Sequence, residues 1–124
     1  QLDPKYAGGA PQWCFSKSFD KYAPLGPQLV SPAVLTDPSA LHLQTRVNGE
    51  LRQDSPTSDL LFNVSEIIAF LSQSTTLERG TVIMTGTPSG VAMGMKDQKY
   101  LQDGDEVEVS ITQIGTLVNK MRFE

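Results

Sequence analysis

The residue pattern predicts a mainly β fold of the α+β class, in which strands dominate and one helix crosses the sheet. Two stretches of alternating apolar and polar residues, each broken by a turn signal, predict two hairpins. One capped apolar run predicts the single helix.

Residues 1–12 carry Pro4, Pro11 and the pair Gly8-Gly9, a loop composition. Trp13 and Phe15 alternate with Cys14 and Ser16, which reads as an extended, strand-like edge. Pro24, Pro27 and Pro32 then interrupt any regular element and predict irregular structure held by packing. From Leu41 the period is two: Leu41, Leu43, Thr45 and Val47 alternate with His42, Gln44 and Arg46, and Asn48-Gly49 leads into Glu50-Leu51-Arg52-Gln53. Both turn residues tolerate the positive φ of a type I′ turn, so a hairpin is predicted over about 41–53. Asn63-Val64-Ser65-Glu66 has the spacing of a capping box, and Ile67, Ile68, Phe70 and Leu71 follow on one apolar face, giving a helix over about 64–74. The turn Leu77-Glu78-Arg79-Gly80 leads into an apolar, β-branched run, 81–85, of the kind that forms a buried strand. Asp103-Gly104-Asp105 precedes Glu106 to Ile111, and Gly115 separates that strand from Thr116 to Met121, a second hairpin. The chain has no internal repeat or low-complexity tract.

With 124 residues, 13.5 kDa and 39% apolar content, the chain is sized for one domain at most. Its 14 acidic and 10 basic residues are dispersed, with no basic block to neutralise phosphates, so nucleic acid is not an expected partner. No apolar run approaches the roughly 18–20 residues of a membrane span, and a soluble, cytoplasmic protein is expected, with the mitochondrion as the alternative. Cys14 is the single cysteine, which suits a reducing compartment and leaves no disulfide or cysteine-rich zinc site. The opening QLDPKYAGGAPQ has no domain-opening pattern and reads as the middle of a longer protein.

Two places could carry chemistry. Lys17 sits among Trp13, Phe15 and Phe19, where an ammonium either faces an anion or snorkels from a core edge. Thr85-Gly86-Thr87-Pro88-Ser89-Gly90 offers hydroxyls and glycine-exposed N–H groups at a strand end, suited to a carboxylate, phosphate or enolate oxygen, or serves only as a tight turn. It lacks the lysine of a phosphate-binding P-loop. His42 alternates with apolar neighbours and is expected to face away from the core, and Cys14 has no other histidine to activate it. Glu50, Asp54, Asp59, Asp97, Asp103 and Asp105 match no calcium loop and read as solvated turn acids.

In order and spacing, KSFD, PLGP, LQTRVNGELRQ, the helix, GTVIMTGTPSGV and LQDGDEVEVSITQIGTLVNK resemble the C-terminal half of the fumarylacetoacetate hydrolase superfamily, from about Trp13 to Lys120. The likeness is greatest to members related to acylpyruvate hydrolases, oxaloacetate decarboxylases and the hydratases or isomerases of aromatic catabolism. It implies a mixed β-roll, usually in a homodimer, binding Mg²⁺ or Mn²⁺ beside a small 2-oxo acid. It implies too that Lys17 is the active-site lysine, contacting substrate oxygens, and that Thr87, with the backbone at Gly86, binds the substrate carboxylate. Gln1 is matched to a glutamine that the family places upstream of this lysine.

The family's metal ligands, a Glu-x-Glu pair and a later Asp, and its acid–base His and Glu precede the position of Gln1, so no metal ligand is expected in this chain. Glu106 and Glu108 spell Glu-x-Glu in the wrong part of the pattern and are not assigned. The reading is a C-terminal part, 1–124, of one catalytic domain of a Mg²⁺- or Mn²⁺-dependent hydrolase or lyase for small 2-oxo or 1,3-diketo acids, completed by the upstream half of the same domain. The alternative is a truncated, non-catalytic homologue serving as a binding or assembly module.

Overall fold

The computed structural model describes residues 13–123, so the predicted loop 1–12 and Gln1 lie outside the described residues. Four strands, β1 at His42–Val47, β2 at Glu50–Pro56, β3 at Glu106–Ile111 and β4 at Gly115–Lys120, form one antiparallel sheet in the order β2-β1-β3-β4. The two predicted hairpins stand side by side, joined by pairing of β1 with β3. Asn48 and Gly49 take φ values of 49° and 81°, as the predicted type I′ turn requires. Asn48 also reaches the second hairpin: its Nδ2 donates to Asp105 Oδ1 at 2.8 Å and its Oδ1 accepts from Glu106 N at 2.9 Å. That contact and the Gln102 N–H hold the Asp105 carboxyl below the usual carboxylate range, the backbone donor contributing most.

Register divides the sheet into two faces. Leu43, Thr45 and Val47 stand opposite Ile111, Val109 and Val107, and Val109 opposite Leu117, so one face is largely apolar. Gln44, Arg46, Glu108, Ser110 and Thr116 share the other face with His42 and Asp54, so His42 does point away from the apolar side. The pairing of β1 with β2 shifts between Thr45 and Arg46: Thr45 faces Gln53 but Arg46 faces Leu51, leaving Arg52 as the extra residue of a β-bulge. Among the described residues only Leu41 and Ser55 are buried, at 5% and 7% exposure, while the apolar-face residues of the sheet are half-buried. Leu29 and Leu61 stand 98% and 94% exposed.

One helix, α1, occupies Trp13–Lys17, where the alternation predicts an extended edge. An extended edge needs a strand to pair with, and no described strand pairs with these residues, so a local turn takes up their backbone groups. Ser16 Oγ donates to the Trp13 carbonyl at 3.0 Å and Ser18 Oγ to that of Cys14. The predicted helix is α2, Val64–Leu71, with its capping box formed: Asn63 Oδ1 accepts from Glu66 N at 2.9 Å and Glu66 Oε2 from Asn63 N at 2.8 Å. It stops three residues before position 74, because the polar run Ser72-Gln73-Ser74-Thr75 competes for the backbone, with Ser72 Oγ turned onto the Ala69 carbonyl. Ile68, Phe70 and Leu71 remain exposed along α2.

The predicted strand over 81–85 is absent; these residues have no regular secondary structure. Their β-branched, apolar character allows an extended chain, but a strand needs a neighbouring backbone to bond, and no described strand pairs with them. Val82 and Met84 are exposed and Ile83 is half-buried.

Candidate active site

The segment from Thr85 to Gly90 is held against the bulged part of β2. Gln53, half-buried on the apolar face, aims its side-chain amide at the loop: Nε2 lies 2.8 Å from Thr87 Oγ1, 3.1 Å from the Pro88 carbonyl and 3.3 Å from the Ser89 carbonyl. The other end of the amide, Oε1, accepts from Thr45 Oγ1 at 2.9 Å. Gly90, at φ +101°, packs on the bulge residue itself, so closely that a Cβ there would lie 1.9 Å from the Arg52 carbonyl oxygen. Only glycine fits both that φ and that approach. Beyond the loop, Arg52 Nη1 contacts Met95 Sδ at 3.4 Å. The Arg52 side chain is 11% exposed, and its Nε lies 3.5 Å from Glu50 Oε1, an ion pair without hydrogen-bond alignment. Glu50 also takes Lys99 Nζ at 3.3 Å, so the acid is shared between two cations.

The result is a short loop pinned at several points and exposed at its tip. Thr87 and Gly86 are exposed, and Gly86 has φ +103°. The backbone N–H groups of Gly86, Thr87, Ser89 and Gly90 donate in no hydrogen bond among the described residues. Such a cluster of free donors can receive a small anion.

Lys17 lies at the C-terminal end of α1 and is exposed. The aromatics that flank it in sequence do not enclose it: Phe15 meets Phe19 edge-on at 5.4 Å between ring centres, and Phe19 meets Tyr22 at 5.4 Å. Gln53 meets Thr87, while no hydrogen bond or ion pair among the described residues joins Lys17 to Thr87. Cys14 is exposed on α1. His42 bonds Asp54 through Nε2, and Gln44 Nε2 adds a donor to Asp54 Oδ1 at 3.1 Å. These bonds, that of His42 first, lower the Asp54 carboxyl below its usual range. Among the described residues no three His, Cys, Asp or Glu side chains converge as metal ligands.

Gln53, which the sequence reading does not single out, anchors the candidate loop. A signal for it exists: counting in register from the Asn48-Gly49 turn puts a polar amide beside Thr45 on the face that also carries Leu43, Val47 and Val109. An inward polar residue must find partners, and these are the loop.

A hydroxyl-and-glycine loop is thus seated on the edge hairpin of a small antiparallel sheet. Residues 2–122 match the family described as "Fumarylacetoacetate (FAA) hydrolase C-terminal", and the chain belongs to that family. It is 46% identical over 110 residues to oxaloacetate tautomerase YisK of Bacillus subtilis (strain 168), covering 89% of this chain and 36% of the relative. The fold is similar to that of the fumarylacetoacetate hydrolase from psychrophilic Exiguobacterium antarcticum, with TM-score 0.83 and 47% identity over 87% of this chain and 39% of that one. A maleylpyruvate hydrolase from Sphingobium sp. SYK-6, solved in complex with manganese(II) ion and pyruvate, superposes with TM-score 0.77 at 33% identity, over 87% of this chain and 38% of that one. The chain therefore spans little more than a third of the length of such relatives. No helix among the described residues is long and apolar enough to cross a membrane.

Proposed function

We propose that this chain forms the carboxylate-holding side of the active site of an enzyme acting on a small 2-oxo acid, by hydrolysis, decarboxylation or tautomerisation beside the ketone. The observation that carries the reading is the pinned, donor-rich loop from Gly86 to Gly90, with Thr87 at its exposed tip. A 2-oxo acid offers a carboxylate and an adjacent ketone oxygen that gains charge on enolisation. The Thr87 hydroxyl and the neighbouring N–H groups bind and orient the carboxylate. Lys17, carried in the KSFD motif, supplies a cation for the enolate oxygen once α1 and the loop enclose a ligand.

The described residues do not fit a divalent metal, since no three ligand side chains converge among them. Mg²⁺ or Mn²⁺ binding, for which the manganese-and-pyruvate complex of the related hydrolase is the support, would draw on ligands elsewhere in the protein. The exposure of Leu29, Leu61, Phe70 and Phe15 supports a further covering, which the upstream half of the domain and a homodimer partner would supply. A reducing compartment, cytoplasm or mitochondrion, suits the exposed Cys14.

The test is a calorimetric titration of the full-length protein with Mn²⁺ in the presence of oxalate, an enolate mimic. Stoichiometric binding of both, weakened by Thr87→Val, is the expected result. Failure of oxalate to bind, or binding indifferent to Thr87→Val, overturns the reading and leaves a non-catalytic binding or assembly module.

A further inference from the structure

The Gln53 amide does more than tether a loop: its orientation decides which way the Thr87 hydroxyl can point. A primary amide has one end that donates and one that accepts, and distances alone do not say which is which. Here the partners do. Two of the three atoms facing Nε2 are the backbone carbonyl oxygens of Pro88 and Ser89, which can only accept. An amide turned the other way would set Oε1 against both carbonyls and lose both of those bonds. The orientation with the NH₂ toward the loop is therefore the one that satisfies the group, and Thr45 Oγ1 completes it by donating to Oε1.

The consequence falls on Thr87. Because the NH₂ donates into Thr87 Oγ1 at 2.8 Å, the hydroxyl accepts on its inner side, and its own hydrogen is directed elsewhere. No acceptor among the described residues takes that hydrogen. In the same loop the N–H groups of Gly86, Thr87, Ser89 and Gly90 are unused donors as well among the described residues, and Pro88 has no N–H. The loop thus carries several donors, the Thr87 hydroxyl and four N–H groups, that no described residue uses.

We propose that Gln53 is a positioning residue that locks the Thr87 hydroxyl as a donor, so that the loop selects ligand groups able only to accept, an ionised carboxylate over the matching carboxamide. The proposal rests on the reading of Thr87 as a ligand-binding residue and adds what the loop discriminates against. A carboxamide would turn an N–H toward a donor or give up half its bonds to avoid doing so, the same penalty that makes unmatched polar groups costly in a built site. Thr45 belongs to the same device, one bond further from the ligand.

The experiment measures pyruvate and pyruvamide affinities by calorimetry in the full-length protein. The unaltered protein should prefer pyruvate by about tenfold or more, the loss of one well-made hydrogen bond to a charged group. Gln53→Glu keeps the shape and replaces the donor by an acceptor, which gives up the bonds to the Pro88 and Ser89 carbonyls and draws the Thr87 hydrogen inward. Pyruvate affinity should fall about tenfold, and the readout of the hydroxyl's direction is the preference, which should shrink to about threefold or less. In a Thr87→Val background Gln53→Glu should add little, because the hydroxyl it acts through is gone. Thr87→Ser, which keeps the hydroxyl, should restore most of the affinity lost in Thr87→Val. If Thr87→Val weakens pyruvate while Gln53→Glu changes neither affinity nor preference, the positioning role is wrong and the carboxylate-binding loop stands. If Thr87→Val itself has no effect, the binding loop is wrong and the inference falls with it. Should Gln53→Glu not fold, Thr45→Val gives the same test in milder form: about a two- to fivefold loss of pyruvate affinity supports the lock, and no loss overturns it.

Discussion

The β1–β2 hairpin and the segment 81–94 are both rich in β-branched and apolar residues, yet only the hairpin is made of strands. In the hairpin the partner backbone lies two residues away across Asn48-Gly49, so the turn brings its own pairing. Residues 81–85 have no such neighbour among the described strands, and their segment is positioned instead by the Gln53 amide and by the packing of Gly90 on the Arg52 carbonyl. Local turn chemistry suffices to build regular structure. The 85–90 loop takes its place from contacts far away in sequence.

Paired glycine substitutions separate these two kinds of control most sharply. Gly90→Ala must accommodate both φ +101° and a Cβ 1.9 Å from the Arg52 carbonyl oxygen, so it should destabilise the full-length protein by about 3 kcal/mol and abolish oxalate binding. Gly49→Ala meets the same sign of φ, +81°, with nothing within 4 Å, and should cost only about 1 kcal/mol, the conformational penalty alone. Denaturant midpoints compare the two; equal shifts would mean that Gly90 is held by no more than its own backbone.

Lys17→Ala sharpens the comparison on the functional side. The side chain is exposed, so unfolding free energy should stay within about 0.5 kcal/mol, while turnover of the complete enzyme should drop about a hundredfold. Unchanged turnover would remove Lys17 from the site. Asn63→Ala tests local control once more, this time in a helix: loss of both capping-box bonds should lower stability by about 1 kcal/mol and leave the loop's ligand affinity untouched.

The smallest effect concerns acid. Asp54 on β2 titrates below the usual carboxylate range because His42 and then Gln44 on β1 bond its ionised form. With the folded value depressed below the unfolded one, the contribution is complete above about pH 4 and fades as pH falls further, through the folded value. Asp54→Asn should therefore flatten the acid limb of stability below about pH 4 and leave oxalate binding at neutral pH unchanged. An acid limb identical to that of the unaltered protein would show that this strand-to-strand bond carries no stability.

Much of the sheet is legible in the order of residues alone. The alternation from Leu41 to Val47, the Asn48-Gly49 turn, the strand from Glu106 and the Asn63-Glu66 box all take their predicted forms, because each is specified within a few residues. Trp13 to Lys17 goes the other way because alternation alone makes no strand: no described strand pairs with these residues, and their backbone closes a local turn instead. The TGTP loop is legible as a candidate from its glycines and hydroxyls, but its anchor is not. Gln53 lies 34 residues from Thr87, and only a paired register shows that its amide points inward.

By itself, then, the sequence determined the hairpins, the helix cap and the identity of the donor-rich loop, since turn φ values, alternation and capping are properties of neighbouring residues. The tertiary structure alone decided that 81–85 does not become a strand, that the Arg52 bulge meets Gly90, and that Gln53 faces Thr87 with its NH₂. Those outcomes depend on which backbone groups and amides find partners across the fold, and such pairings exist only once distant segments have been brought together.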